Sequence, residues 1–175
     1  MGAMTLECLN LFSEKNTFIE TGSYLGDAIQ TALDFGFKNI HSIELNEKFF
    51  RGCIERYKNE KNVKLWLGES PDCIEEILAI EEGQVTFWLD AHASGNIPGG
   101  KYGGSPLLQE LRAIEKHSVK NHVIIIDDCR LFGSEEWSGL KKEQVIDAIL
   151  EINYKYRITY IDGHIPADIM VARVI

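Results

Sequence analysis

A doubly wound α/β sheet is the fold this sequence predicts, with seven mostly parallel strands, helices on both faces and an antiparallel hairpin at one edge. Three observations predict it. Five strand-like segments alternate with stretches of helical periodicity. The fifth of these, His122 to Asp127, is apolar on both faces through Val123-Ile124-Ile125-Ile126, as a central parallel strand must be. Two further strands then follow one another with no helix between them, joined by Asp162-Gly163-His164-Ile165-Pro166, which closes the sheet as a hairpin.

Each element has its own local reason. Leu6, Leu9 and Phe12 recur at three-residue steps and predict an amphipathic helix over 4–15. Thr17 to Glu20 is the first strand, and a helix is expected from Ser23 or Tyr24 to Phe35, with Leu25, Ile29 and Leu33 on one face and Gly36 at its C-terminal cap. Asn39 to Glu44 is the second strand, Glu47 to Tyr57 the next helix, and Val63 to Leu67 the third strand. Ser70-Pro71 reads as an N-cap followed by proline at the first helical position, with Ile74, Ile77 and Leu78 facing inward. Gln84 to Asp90 is the fourth strand. A glycine-rich loop over 94–104 leads to Ser105-Pro106, which opens a helix with Leu107, Leu108, Leu111 and Ile114 on its apolar face. After an irregular stretch from Leu131 to Gly139, a helix over Leu140 to Ile152 precedes the last strands, Arg157 to Ile161 and Asp168 to Val174.

The chain has 175 residues, enough for one domain with a sizeable core; 4–175 is read as that domain, and Met1-Gly2-Ala3 as a cloning remnant. A net charge of -9 argues against a nucleic-acid footprint, which needs clustered Lys and Arg. No apolar run is long enough for a membrane span, and no charged-then-apolar leader is visible. Cys8, Cys53, Cys73 and Cys129 form no CxxC pair and no zinc spacing, so free thiols in a reducing cytoplasm are expected.

In doubly wound sheets ligands bind at the carboxyl ends of the strands. Here those ends read Glu20-Thr21-Gly22, Glu44, Gly68-Glu69-Ser70, Asp90-Ala91-His92 and Asp127-Asp128, and every one is acidic. After the first strand, Gly22 and Gly26 provide a tight turn and close backbone approach at the start of a helix. Glu44, 18 residues after Gly26, stands where a carboxylate accepts the hydroxyls of an adenosine ribose. That spacing suits NAD and S-adenosylmethionine alike. The turn leans toward the second, because a nicotinamide fingerprint would begin Gly-x-Gly and this one begins with Glu20.

Glu20-Thr21-Gly22-Ser23-Tyr24-Leu25-Gly26, then Glu44, then Gly68-Glu69, resembles the class I S-adenosylmethionine-dependent methyltransferases over nearly the whole chain. The resemblance implies the class I methyltransferase fold. It also implies that the glycine turn holds the methionine part of the cofactor, Glu44 the ribose, and Glu69 a place near the adenine amino group. The expected cofactor set is Glu20, Thr21, Gly22, Ser23, Tyr24, Gly26, Glu44, Gly68, Glu69, Ser70 and Asp90. Tyr24 is the departure, since many members carry glycine there.

Asp90, Asp127 and Asp128 end adjacent strands about 4.8 Å apart. Three carboxylates in a dry pocket repel one another unless a cation or protons intervene, and a hard divalent ion such as Mg²⁺ suits them. The trio is similar to the metal site of catechol-type and macrolide-sugar O-methyltransferases. Consecutive strand residues face opposite ways, so Asp127 and Asp128 can share an ion only if the chain leaves strand geometry there. Asp90 and His92 are the expected catalytic residues: a polarised substrate hydroxyl would lose its proton to His92, with Lys101 as the rival base, and attack the sulfonium methyl. The 94–104 loop reads as a lid, with Arg130-Leu131-Phe132 and Trp137 as a second wall.

The resulting expectation is an S-adenosylmethionine-dependent O-methyltransferase acting on a hydroxylated small molecule or sugar, with a homodimer suggested by analogy. An NAD-dependent oxidoreductase, a metal-independent methyltransferase acting on nitrogen or carboxylate, and a non-catalytic binding protein remain the alternatives.

Overall fold

The computed structural model describes residues 4–12, 14–93 and 100–175. Seven strands run in the order β3-β2-β1-β4-β5-β7-β6: β1 Thr17–Thr21, β2 Asn39–Glu44, β3 Val63–Leu67, β4 Val85–Leu89, β5 Val123–Ile126, β6 Tyr156–Ile161 and β7 Ile169–Val174. The first five pair in parallel, while β7 inserts antiparallel between β5 and β6. The expected edge hairpin is therefore present, with its second strand on the inside.

Alternation along the strands builds two cores. Ile19, Ile43, Phe87, Leu89, Ile124 and Ile126 face α4 (Ser70–Leu78), α5 (Leu107–Lys116) and α6 (Lys142–Ile152). Phe18, Ile40, Trp88, Val123 and Ile125 face α1 (Leu6–Phe12), α2 (Asp27–Phe35) and α3 (Glu47–Tyr57). Among the described residues no helix is long and apolar enough to cross a membrane. The strand order reverses between β1 and β4, and the crevice at that reversal is where such a sheet takes ligands.

Five helix starts differ from the expected ones, the first being α1, which begins at Leu6 rather than Met4. Helix α2 begins at Asp27 rather than Ser23 or Tyr24, because Gly22, Tyr24 and Gly26 all take left-handed backbone angles. Glu69 holds the N-cap position of α4 without a side-chain cap bond, so Ser70 lies inside the helix, its hydroxyl drawn to Glu110 instead of to a backbone N–H. Pro106 holds the N-cap position of α5, one residue later than expected, although the Ser105 hydroxyl still accepts the Leu107 N–H at 3.4 Å, and α6 starts at Lys142, two residues later than expected.

The end of the sheet away from the crevice holds a histidine relay with no counterpart in the sequence reading. The Val85 N–H donates to His122 Nδ1 at 3.1 Å, so His122 Nε2 carries the hydrogen and donates to His117 Nδ1 at 3.0 Å. His117 Nε2 in turn donates to the Glu81 carbonyl at 3.0 Å. His41 accepts from Trp66 Nε1 and donates to the Glu81 carboxylate. Burial, with His117 and Lys120 nearby, pushes His122 down to about 4. Its folded value thus lies below the unfolded value of about 6.5, and the stability it confers is lost as pH falls from about 6.5 toward 4, by roughly 3 kcal/mol. Buried carboxylates with raised values, such as Glu20, act in the opposite sense, so the test is a difference. In urea unfolding, His122→Asn is expected to be less stable than the parent at pH 7, and the gap should close by pH 4.5. A gap that stays constant with pH would contradict the relay.

Candidate functional site

The crevice at the strand-order reversal is a cleft of about 750 Å³. Glu20, Gly22, Ser23, Tyr24, Glu44, Gly68, Glu69, Ser70, Asp90, His92, Asp127 and Asp128 all line it. The structure thus brings together nearly every residue singled out in the sequence. Of the remainder, Thr21 is buried beneath the floor, and Gly26 caps α2 behind the turn.

The turn after β1 satisfies its own backbone. Gly22 and Ser23 N–H groups both donate to the Ile43 carbonyl, at 2.9 and 3.1 Å, and Gly26 N–H donates to the Ser23 carbonyl at 2.7 Å. Tyr24, at φ 46, donates its N–H to Glu44 Oε2 at 2.8 Å, while Glu44 Oε1 accepts from Asn46 N–H at 2.7 Å. Glu44 therefore braces the turn from the end of β2. The Tyr24 ring packs on Phe49 at 4.7 Å and stays about half exposed at the cleft mouth. At Gly26 an added Cβ would lie 2.7 Å from the Tyr57 ring, so the glycine permits the close approach of α2 to α3.

Glu20 pairs in register with Ser42 across β1 and β2 and accepts a hydrogen bond from its hydroxyl, which also meets Ser23 Oγ. Burial pushes Glu20 up to about 8, so it carries a proton at neutral pH. Glu69 stands at the N-cap position of α4, and its Oε1 accepts the Lys101 N–H at 2.8 Å rather than a helix N–H. Lys101, the rival base, places its ammonium 2.5 Å from Asp72, whose other oxygen accepts from Tyr102 Oη at 2.9 Å. The segment 100–104 is thereby strapped to the first turn of α4; residues 94–99 of the expected lid lie outside the described residues.

Strand β5 ends at Ile126, and Asp128 turns left-handed at φ 59. The chain thus leaves strand geometry where Asp127 and Asp128 would otherwise diverge. Two clusters result. Donor atoms of Asp90, His92 and Asp128 lie within 4.8 Å of one another, as do those of Asp127, Asp128 and Asp168. His92 Nε2 lies 3.0 Å from Asp128 Oδ2 and 3.6 Å from Asp90 Oδ1, while Nδ1 meets the Ala93 carbonyl at 2.8 Å. Both ring nitrogens face acceptors only, which is the pattern of an imidazolium. Burial works against that charge, but the Asp128 and Ala93 hydrogen bonds and the Asp90 carboxylate outweigh it and push His92 up to about 9. Burial and the Asp127 charge raise Asp90. Asp128 is held low: burial opposes this, and His92 and Arg130 overcome it. In the second cluster Arg130 bridges Asp128, at 2.6 Å, and Asp168. Asp127 is buried and accepts the Asp128 N–H at 2.8 Å.

Three contributors were not anticipated. Asp168 belongs to the site because β7 runs antiparallel to β5, which sets the start of β7 beside the end of β5. The predicted edge hairpin contained that signal. His164, from the connection between β6 and β7, lies on the cleft wall. Glu110 sits beneath the floor, bonded to Ser70. Trp137 is buried against His92 and Phe132, supporting the histidine from behind rather than forming an open wall.

No protein-family model matches the chain, and no curated protein matches it either. Solved structures do. An O-methyltransferase from Bacillus cereus in complex with SAH aligns at TM-score 0.63 and 15% identity, over 97% of this chain and 78% of the other. A candidate rRNA-methylase from Clostridium thermocellum aligns at TM-score 0.63 and 14% identity, over 97% and 95%. The SAH-bound methyltransferase PaMTH1 from Podospora anserina aligns at TM-score 0.57 and 14% identity, over 91% and 71%. At such identities the likeness is one of fold. The chain has the class I methyltransferase fold: a seven-stranded, mostly parallel sheet with an antiparallel pair at one edge and helices on both faces.

Proposed function

We propose that this protein is an S-adenosylmethionine-dependent methyltransferase that methylates a hydroxyl oxygen of a small molecule or sugar, assisted by a divalent cation. The observation that carries the reading is one of placement. The Gly22–Gly26 turn with Glu44 lies on one side of the strand-order reversal, and Asp90, His92 and Asp128 lie on the other, within one cleft.

The charges of the cleft favour this cofactor over a dinucleotide. Glu44, Glu69, Asp127 and Asp128 line it, and the lining guanidinium, Arg130, is already paired with two aspartates. The N–H groups of Gly22, Ser23, Tyr24 and Gly26 are spent within the protein. A diphosphate would meet carboxylates and occupied donors, whereas a sulfonium with an ammonium group meets the opposite charge. The acidic lining and the net charge of -9 likewise disfavour a nucleic-acid acceptor.

In this reading Glu20, Thr21, Gly22, Ser23 and Tyr24 form the methionine end of the cofactor site, Glu44 the ribose end, and Gly68, Glu69 and Ser70 the adenine end. Asp90, Asp127 and Asp128 line the cleft with carboxylates that would hold a divalent cation, which at Asp128 would take the place of the His92 and Arg130 contacts. A cation there would supply Lewis acidity toward the acceptor hydroxyl. The chain's own residues orient that hydroxyl and handle its proton. His92 holds a hydrogen at Nε2 toward Asp128 and becomes a base only after losing it.

The test is transfer of labelled methyl from S-adenosylmethionine to a panel of phenols, polyols and sugars, with added Mg²⁺ and with chelator. Metal-stimulated methylation of a hydroxyl is expected. Equal rates with and without chelator would remove the cation from the proposal, and methylation confined to nitrogen would overturn the acceptor class.

A further inference from the structure

Glu110 is a buried carboxylate that the chemistry above leaves unused. It stands in the first turn of α5 with 1% exposure. A carboxylate is kept in such a place only when hydrogen bonds hold it. Ser70 Oγ donates to its Oε1 at 2.5 Å, and the Thr21 hydroxyl bonds to it as well. Thr21 Oγ1 also accepts the Asp90 N–H at 3.2 Å, since one hydroxyl can donate and accept at once. Ser70 and Asp90 line the cleft; Glu110 and Thr21 lie beneath it. One carboxylate thus joins the end of β1, the end of β4, the start of α4 and the start of α5. Of the charged groups around it, His92 lies nearby across the cleft floor.

We propose that Glu110 is a positioning residue of the cofactor site, fixing Ser70 and, through Thr21, the Asp90 turn in the arrangement that receives S-adenosylmethionine. The proposal rests on the cofactor reading above.

Stability and affinity move in opposite directions under this role. Burial pushes Glu110 from 4.5 up to about 7, so stability is lost as pH rises from 4.5 toward 7, and at pH 8 the fold bears the whole cost of the buried charge. Glu110→Gln removes the buried charge, and its melting temperature at pH 8 should equal or exceed that of the parent. Its amide offers a single acceptor oxygen for two hydroxyls, so affinity for S-adenosylhomocysteine by calorimetry should fall about tenfold. Ser70→Ala should weaken binding similarly, and the double variant should bind no worse than the weaker single one. A residue that merely supports the fold would lose stability and affinity together, and that result overturns the proposal. So does unchanged affinity in both single variants while the parent binds. If the parent itself does not bind, the cofactor reading fails and this proposal with it, which separates the two failures.

Discussion

Gly22→Ala is expected to weaken S-adenosylmethionine binding by about a hundredfold, close to 3 kcal/mol. Gly22 sits at φ +85, where a side chain costs roughly 1 kcal/mol before any contact is considered. An alanine Cβ there would lie 2.8 Å from the Asp90 carbonyl oxygen and 3.2 Å from its carbon. Both are backbone atoms at the end of β4 and have no rotamer by which to retreat. The substitution must therefore part β1 from β4 at the strand-order reversal, where Asp90 N–H also meets the Thr21 carbonyl at 3.2 Å. Calorimetry with S-adenosylhomocysteine, alongside a thermal melt, measures the effect. Binding within twofold of the parent would show that the turn is not part of the ligand site.

Asp128→Asn should lower turnover about a hundredfold while changing cofactor affinity less than threefold. Asparagine tolerates the left-handed backbone that Asp128 adopts at φ 59, so the change isolates charge from conformation. Asp128 faces His92 on one side and Arg130 on the other, and both would be left short of a carboxylate. The sign for His92 is fixed by its surroundings. Burial lowers it, the Asp128 hydrogen bond and charge raise it, and replacing that carboxylate by a neutral amide lets it drop from about 9. An NMR titration of the His92 ring reads this directly, independently of any substrate. A ring that still titrates near 9 in the variant would mean Asp128 is not the group that holds the proton.

Much of the architecture was legible because period-two and helical patterns rarely compete in this chain. The all-apolar run Val123–Ile126 marked an interior strand of the sheet, and the consecutive last strands marked its antiparallel edge. The acidic strand ends were legible for the same reason: topology alone sends the carboxyl ends of parallel strands to one rim. What escaped depends on partners distant in sequence. Ser70 looks like a cap until Glu110, 40 residues later, claims its hydroxyl. Asp168 looks like the start of a strand until the antiparallel pairing of β7 with β5 brings it to Arg130. Tyr24 bends left-handed because its N–H finds Glu44, against the steric preference of its own side chain. His41, His117 and His122 look unrelated until the sheet and the α5 terminus gather them around Glu81.

The assignment of the cleft stands most directly on calorimetry of the intact protein with S-adenosylmethionine and, separately, with NADH. One site per chain for S-adenosylmethionine and no heat with NADH is the expected result. Binding of NADH without S-adenosylmethionine, or of neither, would contradict it.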